Sequence, residues 1–588
     1  MPGASKIPSG RSRPGARETD RMTRLVPLAS GLRRRACVFL PLASCLVPLA
    51  TAQSFPHEAV VSNDPVASQV GADVMRRGGN AVDAAVAVGF ALAVTWPEAG
   101  NLGGGGFMVV RTANGRSYAF DFRETAPLNA TKTMYQDDNG EVVPGLSTIG
   151  HLAVGVPGTV AGLELAHKRL GRLPWQDVVE PAVLLAQEGF PVTGPLLAGA
   201  RASSRRLSEF PESKRIFVEG LAGLEPGDIW RQPGLAETLK RIRDQGAKGF
   251  YEGETARRIA EEMQRNGGLI GLEDLRSYRA LEVKPLTGRY RDCEIITMPP
   301  PSSGGVAILQ MMTMLERFRT SSYVHNGIEY LHLLAEVMKR AFADRARYMG
   351  DPRFTEIPID RLLSRNYLDE RISNFDAQTA SKAEDWGPGS ELREGSNTTH
   401  YSVVDRWGNA VAVTYTLNSS YGSGVTAPGT GVLLNNEMDD FTSKAGVPNI
   451  YGLVQSEVNL PEPGKRPLSS MTPTIVVKDG KPLLVTGSPG GPRIISAVLQ
   501  CILNILDFGF DPQTAVDLPR IHHQWLPDQI LFEHEHRYYR TVALRLRGHQ
   551  IDERRRSVGN VQLIYVDPET GTRTAAGDKR RQTGAAGS

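Results

Sequence analysis

Cysteine is scarce in this chain of 588 residues, which holds four: Cys37, Cys45, Cys293 and Cys501. The last two are too few and too far apart in the sequence to indicate a disulfide framework or a metal site. Long apolar runs are also scarce after the N-terminal segment. The run at 84–94 is too short to cross a bilayer and predicts a buried core helix.

A basic excess is missing once the N-terminal segment is set aside. The whole chain has a formal charge of +3, but residues 1–52 alone hold nine basic and two acidic side chains. Residues 53–588 are therefore slightly acidic. This balance argues against a nucleic-acid partner, whose phosphates would attract a basic surface.

Several motifs of other enzyme classes are absent. There is no Gly-x-Ser-x-Gly elbow, as a serine hydrolase would carry, and the glycines at 103–106 lack the spacing of a dinucleotide-binding fingerprint. No Gly-Lys-Ser/Thr follows the glycines at 487–491, which excludes a phosphate loop. His522 and His523 are adjacent, so in a strand they point to opposite faces and cannot bind one metal. We expect no cofactor and no metal.

The N-terminal segment has the features of a secretion signal. Three arginines at 33–35 precede an apolar stretch at 36–49, and Ala50-Thr51-Ala52 fits an A-x-A cleavage site. The pattern predicts a signal peptide at 1–52, export across the inner membrane and a periplasmic protein without a stable membrane span. Met22 is a second candidate for the start. A lipid anchor on Cys45, release to the extracellular space and retention in the cytosol stay open.

The first half of the mature chain is predicted to be mostly helical. Asp64-Pro65 supplies an N-cap and a first-turn proline, and Gly78-Gly79-Asn80 separates two helices between 64 and 94. Two strands flank an Asn-Gly turn. These strands are predicted at 107–111 and 117–123. The clearest amphipathic helical segments after them are 155–187, 233–245 and 253–266.

A polar stretch at 376–398 is typical of an exposed, cleavable connector. Strands follow it, and then a helix at 491–508. Strands followed by helices in both halves predict a layered α/β sandwich. The tail from Asp567 onward is expected to be loosely ordered. The predicted strands after the connector are 399–404, 410–417, 473–477 and 483–487.

Threonines cluster where the connector meets these strands. A turn at 405–409 predicts an antiparallel hairpin. If Val404 pairs with Ala410, Thr398 lies opposite Thr416, with Cβ atoms about 4.5–5.5 Å apart. Asn397-Thr398-Thr399 also fits the N-glycosylation pattern, which is the plainer interpretation of the same residues.

A cut between Asn397 and Thr398 would give Thr398 a free α-amine. Such an amine has a pKa of about 7.7–8.0, so it is substantially neutral near physiological pH. It can take the proton of the threonine hydroxyl, directly or through a water, and make the oxygen a nucleophile. This chemistry needs no His–Asp pair.

An ordered series of motifs resembles the gamma-glutamyltransferase (glutathione hydrolase) family of the Ntn-hydrolase superfamily, over about residues 56–560. The resemblance implies an α/β fold, the four-layer αββα sandwich. It also implies self-cleavage of the precursor into a large subunit (53–397) and a small catalytic subunit (398–588) that form a heterodimer. The matching motifs are at 101–107, 121–124, 301–305, 398–402, 416–418, 435–441, 465–473 and 487–491.

The resemblance further implies γ-glutamyl transfer from glutathione and other γ-glutamyl compounds to amino acids, peptides or water. The intermediate is a γ-glutamyl ester of the nucleophile, Thr398, with Thr416 as the hydroxyl that holds it in position. Gly490 and Gly491 resemble the oxyanion hole, where N–H groups converge because no side chain blocks them.

The other site residues resemble those that bind an amino-acid head group. Arg123 matches the clamp for the α-carboxylate, which suits a planar guanidinium, and we expect it to touch only substrate. The remaining matches are Ser469 and Ser470 for the same carboxylate, Asp440 with Asn418 and Glu437 for the α-ammonium, and Tyr451 in a lid at 445–456.

Two rival functions stay open. A cephalosporin or glutaryl acylase of the same superfamily would share the fold, but such enzymes tend to lose the counter-charge at Asp440 and the lid. A secreted binding protein without catalysis would lack Thr398 or the glycine pair, and this chain keeps them. The preferred donor and acceptor do not follow from the sequence.

Overall fold

Two seven-stranded β-sheets organise the chain in the computed structural model, which describes residues 51–386, 398–533, 538–552, 554 and 556–588. All but the last two residues of the predicted signal peptide lie outside the described residues. Residues 387–397 of the predicted connector, including Asn397, lie outside them as well.

The described residues form strands and helices that alternate along the chain. The strands are β1 (Gln53–Phe55), β2 (Ala59–Ser62), β3 (Gly105–Arg111), β4 (Ser117–Phe122), β5 (Phe190–Pro191), β6 (Ile229–Trp230), β7 (Leu281–Val283), β8 (Leu286–Tyr290), β9 (Cys293–Thr297), β10 (Thr398–Val404), β11 (Ala410–Thr416), β12 (Thr426–Ala427), β13 (Val432–Leu433), β14 (Thr474–Lys478), β15 (Lys481–Gly487), β16 (Ile521–His522), β17 (Ile530–Phe532), β18 (Ile551–Asp552), β19 (Gln562–Val566), β20 (Arg573–Gly577) and β21 (Gly584–Gly587). The helices are α1 (Pro65–Arg76), α2 (Ala81–Thr95), α3 (Thr159–Leu170), α4 (Trp175–Glu188), α5 (Gly194–Leu207), α6 (Pro211–Ser213), α7 (Pro233–Gln245), α8 (Lys248–Tyr251), α9 (Gly253–Arg265), α10 (Leu272–Ser277), α11 (Gly304–Leu315), α12 (Ile328–Tyr348), α13 (Ile359–Leu362), α14 (Arg365–Ile372), α15 (Arg493–Leu506), α16 (Pro512–Asp517) and α17 (Tyr538–Leu546).

The two sheets pack face to face between helical layers. The first has the order β1-β20-β19-β15-β14-β9-β8, and the second has the order β21-β2-β10-β11-β3-β4-β7. Odd-numbered residues of β10 and β11, such as Val403 and Val411, pack with α1 and α2. Even-numbered ones, such as Val404 and Ala412, pack against the first sheet, and the hydrophobic core that they belong to extends to α11, α12 and α15. The predicted four-layer αββα arrangement is confirmed.

The helices α1 and α2 follow the predicted capping signals. Asp64 accepts a hydrogen bond from the N–H of Ala67, with Pro65 in the first turn. Asn80 accepts from the N–H groups of Val82 and Asp83 and so begins α2, all of whose side chains are buried. Asn and Asp are good N-caps because their side chains satisfy N–H groups that lack a helical partner.

The expectation of a loosely ordered tail is wrong. Residues 573–587 contribute β20 and β21, which pair with β19 and β1 and with β2. Ala575 and Ala576 are buried, and Asp578 forms a buried ion pair with Arg520 at 2.5 Å. The strands β20 and β21 consist mostly of small residues without a hydrophobic alternation. They become ordered because existing strand edges supply their hydrogen-bond partners.

No helix in the described part of the chain is both long enough and apolar enough to cross a membrane.

We expect the close approach of the tail to α1 to make Gly584 intolerant of a side chain. A Cβ atom at Gly584 would lie 2.3 Å from the Cα of Pro65, whereas one at Gly194 would have no neighbour within 4 Å. Gly584→Val should lower the free energy of unfolding by about 1–3 kcal/mol through overpacking. Gly194→Val, the control, should change it by no more than about 0.5 kcal/mol. Equal urea midpoints for the two variants would contradict the packed tail.

Candidate active site

The site begins at the hairpin of β10 and β11, in the middle of the second sheet. The observed register pairs Val404 with Ala410 and Thr398 with Thr416, as predicted from the turn. The Oγ1 atoms of the two threonines are 3.2 Å apart, and both residues are buried. β10 is flanked by β2 and β11 on its two sides, so the strand that carries Thr398 is held on both edges.

The position of the Thr416 hydroxyl is set by its own neighbours. Its Oγ1 accepts a hydrogen bond from the N–H of Asn418 at 2.8 Å. Asn418 has a φ of 74°, in the left-handed region that asparagine tolerates better than most residues. Its side chain donates to the carbonyl of Asn436 at 2.9 Å. The backbone turn after β11 therefore orients the hydroxyl that lies beside Thr398.

A cavity of about 280 Å³ opens over Thr398. Most of the predicted site residues share it, together with four residues that the sequence did not single out. The lining residues are Arg123, Thr398, Thr416, Asn418, Glu437, Asp440, Tyr451, Leu453, Ser469, Ser470, Met471, Gly491, Pro492 and Ile494. Gly490 directly precedes Gly491 in the chain but does not itself line the cavity.

The glycine pair enters the site from the other sheet. Gly490 and Gly491 follow the end of β15 and precede α15, and their φ angles of 141° and 57° favour glycine. Neither N–H has a hydrogen-bond partner among the described residues. The site thus forms where the first residue of β10 in one sheet meets the end of β15 in the other.

Arg123 lines the same cavity and is fully buried. Its Nη1 donates to Glu437, and its Nη2 donates to Asp440 at 2.5 Å and to the carbonyl of Leu468 at 3.0 Å. The expectation that Arg123 touches only substrate is therefore wrong. The reason is electrostatic, since a buried guanidinium requires charged or polar partners whether or not a ligand is bound.

The carboxylates around Arg123 differ in their environments. Burial raises the pKa of Glu437 well above its usual value, against the opposing effect of Arg123, and burial raises the pKa of Glu124 to about 8. Burial therefore favours the protonated forms of these two carboxyl groups, whereas the charge of Arg123 favours the ionised ones. The Asp440 side chain keeps 13% of its surface exposed, so it is the most exposed of the three carboxylates around Arg123.

Asp439 differs from its neighbour Asp440. It accepts hydrogen bonds from the Ser147 hydroxyl at 2.7 Å and from the N–H of Ile450 at 3.2 Å. Burial raises its pKa to about 7. It supports the segment before Tyr451 and does not line the cavity, so of the two adjacent aspartates only Asp440 can contact a ligand there.

Tyr451 closes one side of the cavity. Its hydroxyl donates to the carbonyl oxygen of Asn418 at 2.9 Å, and its ring lies beside Gly491. A Cβ atom at Gly491 would be 2.9 Å from the ring. The segment at 445–456 is thus attached both to the turn after β11 and to the glycine pair.

Two further residues support the site and were not predicted. Ser303, in the matched loop at 301–305, donates from both its N–H and its hydroxyl to the carbonyl of Ser469, at 2.8 and 2.7 Å. Arg345 of α12 donates to the hydroxyls of Ser303 and Ser470. The signal in the sequence lies in α12, whose charged residues are not confined to one face, as they would be in an ordinary amphipathic helix. Most of these charged side chains are buried in the structure.

One group of buried side chains has the composition of a metal site. His332, Glu336 and His549 have ligand atoms within 4.8 Å of one another. The two histidine nitrogens are 2.7 Å apart, and the other nitrogen of His332 contacts the carbonyl of Asp376 at 2.8 Å. Glu336 accepts from the Ser381 hydroxyl at 2.6 Å and from Arg340. The three side chains therefore form a hydrogen-bond network, in which the atoms that could bind a metal already contact protein groups.

His522 and His523 have separate partners, as expected for structural residues. His522 contacts the hydroxyl of Ser496 at 2.7 Å, and His523 contacts Asp528 at 3.1 Å.

Comparison with known proteins extends over nearly the whole chain. The sequence model of the gamma-glutamyltranspeptidase family matches residues 67–588. The glutathione hydrolase proenzyme of Escherichia coli (strain K12) is 48% identical over 512 residues, which cover 87% of this chain and 88% of that protein.

Two solved structures are similar as well. A chain of the Helicobacter pylori gamma-glutamyltranspeptidase is 42% identical and superposes with a TM-score of 0.55, covering 61% of this chain and all of that one. A cephalosporin acylase from Bacillus halodurans is 27% identical and superposes with a TM-score of 0.80, covering 94% of this chain and 99% of that one. The fold is that of the Ntn-hydrolases, which these structures share. Because both the family model and a relative of nearly half-identical sequence span most of the chain, this protein belongs to the gamma-glutamyltranspeptidase (glutathione hydrolase) family of enzymes.

Proposed function

We propose that this protein transfers the γ-glutamyl group of glutathione and related donors to amino acids, peptides or water. The observation that carries the proposal is the arrangement of one cavity. A threonine at the start of a strand lines it together with an arginine and a carboxylate that suit the two charges of an amino-acid head. A donor bound by its head group would present its γ-carbonyl to Thr398.

The reaction has two halves. In the first, the free α-amine of Thr398 takes the hydroxyl proton while Oγ1 attacks the γ-carbonyl carbon. The N–H groups of Gly490 and Gly491 are proposed to bind the oxyanion, since neither has another partner in the described residues. The C–N bond then breaks, and the leaving amine takes the proton. In the second half, water or an acceptor amine attacks the ester and restores the hydroxyl.

When the amino-acid head of a donor binds, one ion pair within the protein would be replaced by two ion pairs between the protein and the donor. Without ligand, Nη2 of Arg123 is paired with Asp440. A donor's α-carboxylate would take the place of Asp440 at Arg123, and its α-ammonium would take the place of Arg123 at Asp440. Ser469 and Ser470 would add hydroxyl bonds to the carboxylate, while Asn418 and Glu437 would assist at the ammonium. Both charged ends of the donor are thereby selected.

The proposed activation is a self-cleavage between Asn397 and Thr398. In the precursor the Thr398 hydroxyl attacks the carbonyl of Asn397, and water then opens the resulting ester. The two products, 53–397 and 398–588, would remain associated as a heterodimer. Each sheet supports this, because strands of 398–588 lie between strands of 53–397 in both. β10 and β11 lie between β2 and β3 in one sheet, and β20, β19, β15 and β14 lie between β1 and β9 in the other.

An acylase is the second candidate, and the similarity to the cephalosporin acylase favours it. A cephalosporin side chain without an α-ammonium group would leave Asp440 unpaired in a buried site. Asp440 and the segment around Tyr451 both line this cavity, which supports a γ-glutamyl donor instead.

We also propose that the chain is exported to the periplasm. The leader at 1–52 supports this location through its arginines, its apolar stretch and its A-x-A site.

The mature protein should consist of two chains, the smaller of which begins at Thr398. Cleavage there is expected because only a free amine at Thr398 supplies the base. N-terminal sequencing of the smaller chain measures this directly, and Thr398→Ala is the control that should remain one folded chain. A different first residue would contradict the mechanism.

Thr398→Ser should be processed slowly and keep some activity, since serine retains both the hydroxyl and the amine. The two halves supplied as separate chains should hydrolyse glutathione when residue 398 is Thr. The same assembly with Thr398→Ala should be inactive, as measured by mass spectrometry of the products. Glutathione hydrolysis by the alanine assembly would show that another residue is the nucleophile.

Arg123→Ala should weaken glutathione binding by roughly 2–5 kcal/mol, the effect of removing one partner of a desolvated ion pair. Its processing should slow as well, because Glu437 and Asp440 lose their counter-charge. Arg123→Lys, which retains the charge and loses the planar fork, should have a smaller effect. Arg169→Ala, at an exposed surface pair with Glu282, is the control and should leave KM unchanged. An unchanged KM in Arg123→Ala would place the clamp elsewhere.

A further inference from the structure

Arg345 is a buried arginine behind the cavity wall. It belongs to α12, and its side chain reaches the segment that carries Ser469 and Ser470. Its Nε donates to the Ser303 hydroxyl at 3.0 Å, and its Nη2 donates to the Ser470 hydroxyl at 3.3 Å. Its Nη1 has no hydrogen-bond partner among the described residues.

These contacts determine the direction of two hydroxyl groups. A guanidinium only donates, so the oxygens of Ser303 and Ser470 accept from it. The proton of Ser303 goes to the carbonyl of Ser469 at 2.7 Å. The proton of Ser470 has no acceptor among the described residues, and Ser470 lines the cavity. Arg345 therefore leaves the Ser470 hydroxyl with its proton available to a ligand.

The charge of Arg345 acts at the same end of the cavity as Arg123. Burial lowers the pKa of Arg345 to about 10, with Asp440 raising it and Arg123 lowering it. The side chain is thus cationic at neutral pH. Two buried guanidinium groups with a hydroxyl donor in front of one of them form a subsite that suits an anion.

We propose that Arg345 is a positioning residue for the α-carboxylate of the donor, acting through the Ser470 hydroxyl and through its own positive charge. The proposal rests on the proposed function, since it assigns a role to Arg345 toward the same donor. It goes further in predicting that Arg345 sets the preference for donors with a free α-carboxylate over donors in which that group is neutral.

A purely structural brace differs from this arrangement. A buried arginine that only joins two segments would be expected to engage all its donors, because an unmade hydrogen bond of a buried charged group is costly. Here Nη1 stays unengaged in the described residues while the charge lies near Asp440 and Arg123.

The test compares two chromogenic donors, γ-glutamyl-p-nitroanilide and its α-methyl ester, in the processed enzyme. In Arg345→Met, KM for the free acid should rise about 10- to 100-fold, the range for losing a hydrogen bond to a charged group. KM for the ester and kcat for both donors should change little. The preference for the free acid should therefore fall by the same factor. Arg345→Lys should recover part of it, and Arg347→Met, at an exposed position of the same helix, is the matched control.

A double-mutant cycle keeps the test decisive if Arg345→Met does not fold or process. Ser470→Ala should reduce the preference for the free acid. Arg345→Lys should then reduce this preference by a smaller factor in the Ser470→Ala enzyme than it does in the wild-type enzyme. Equal losses for both donors, or full additivity in the cycle, would overturn the role of Arg345. A wild-type enzyme that hydrolyses neither donor would instead overturn the proposed function.

Discussion

The antiparallel pairing of β10 with β11 is the constraint on which the site depends. Seven residue pairs hold the hairpin in register, and the last of them places Thr398 against Thr416. A slip by one residue would turn both threonines to the opposite face and place apolar side chains between the sheets. The register is secured because β2 pairs with β10 and β3 pairs with β11 on their outer edges. Thr398, the proposed nucleophile, is thus positioned by the interior of a sheet and not by a loop.

A second constraint is the burial of charge around Arg123. Arg123 is fully buried with Glu437 and Glu124 and next to Asp440. Breaking such a group by removing one charge costs about 3–5 kcal/mol, because the remaining charge is left unpaired in a poorly solvated place. A zwitterionic ligand can replace the internal partners on both sides, whereas a ligand with a single charge cannot. Under the proposed function, the same energetics that stabilise this buried group of charges would select a ligand with an amino-acid head.

The two proposed subunits would share both sheets, which explains how a chain cut in its middle can keep its structure. β10 and β11 are the inner strands of the second sheet, between strands from the first half of the chain, and the C-terminal strand β21 closes the edge beyond β2. Separation would expose the edges of several strands and much of both hydrophobic cores. Support for the site also crosses between the halves, since Ser303 and Arg345 hold the segment that contains Ser469 and Ser470.

Local patterns in the sequence determined the capped helices α1 and α2. They also determined the strand pairing around 405–409, and hence the residue that lies opposite Thr398. Each of these features depends on residues that are close together along the chain. The tail at 573–587 could not be predicted in this way, since its small residues form strands only where β19 and β2 offer open edges. Arg123 was recognised by its motif, but its contacts with Glu437 and Asp440, more than 300 residues away, exist only in the folded chain. The tertiary structure alone decided these contacts, the raised pKa values of the buried carboxyl groups and the place of Arg345. The reason is that burial and desolvation depend on what packs around a residue and not on its neighbours in sequence.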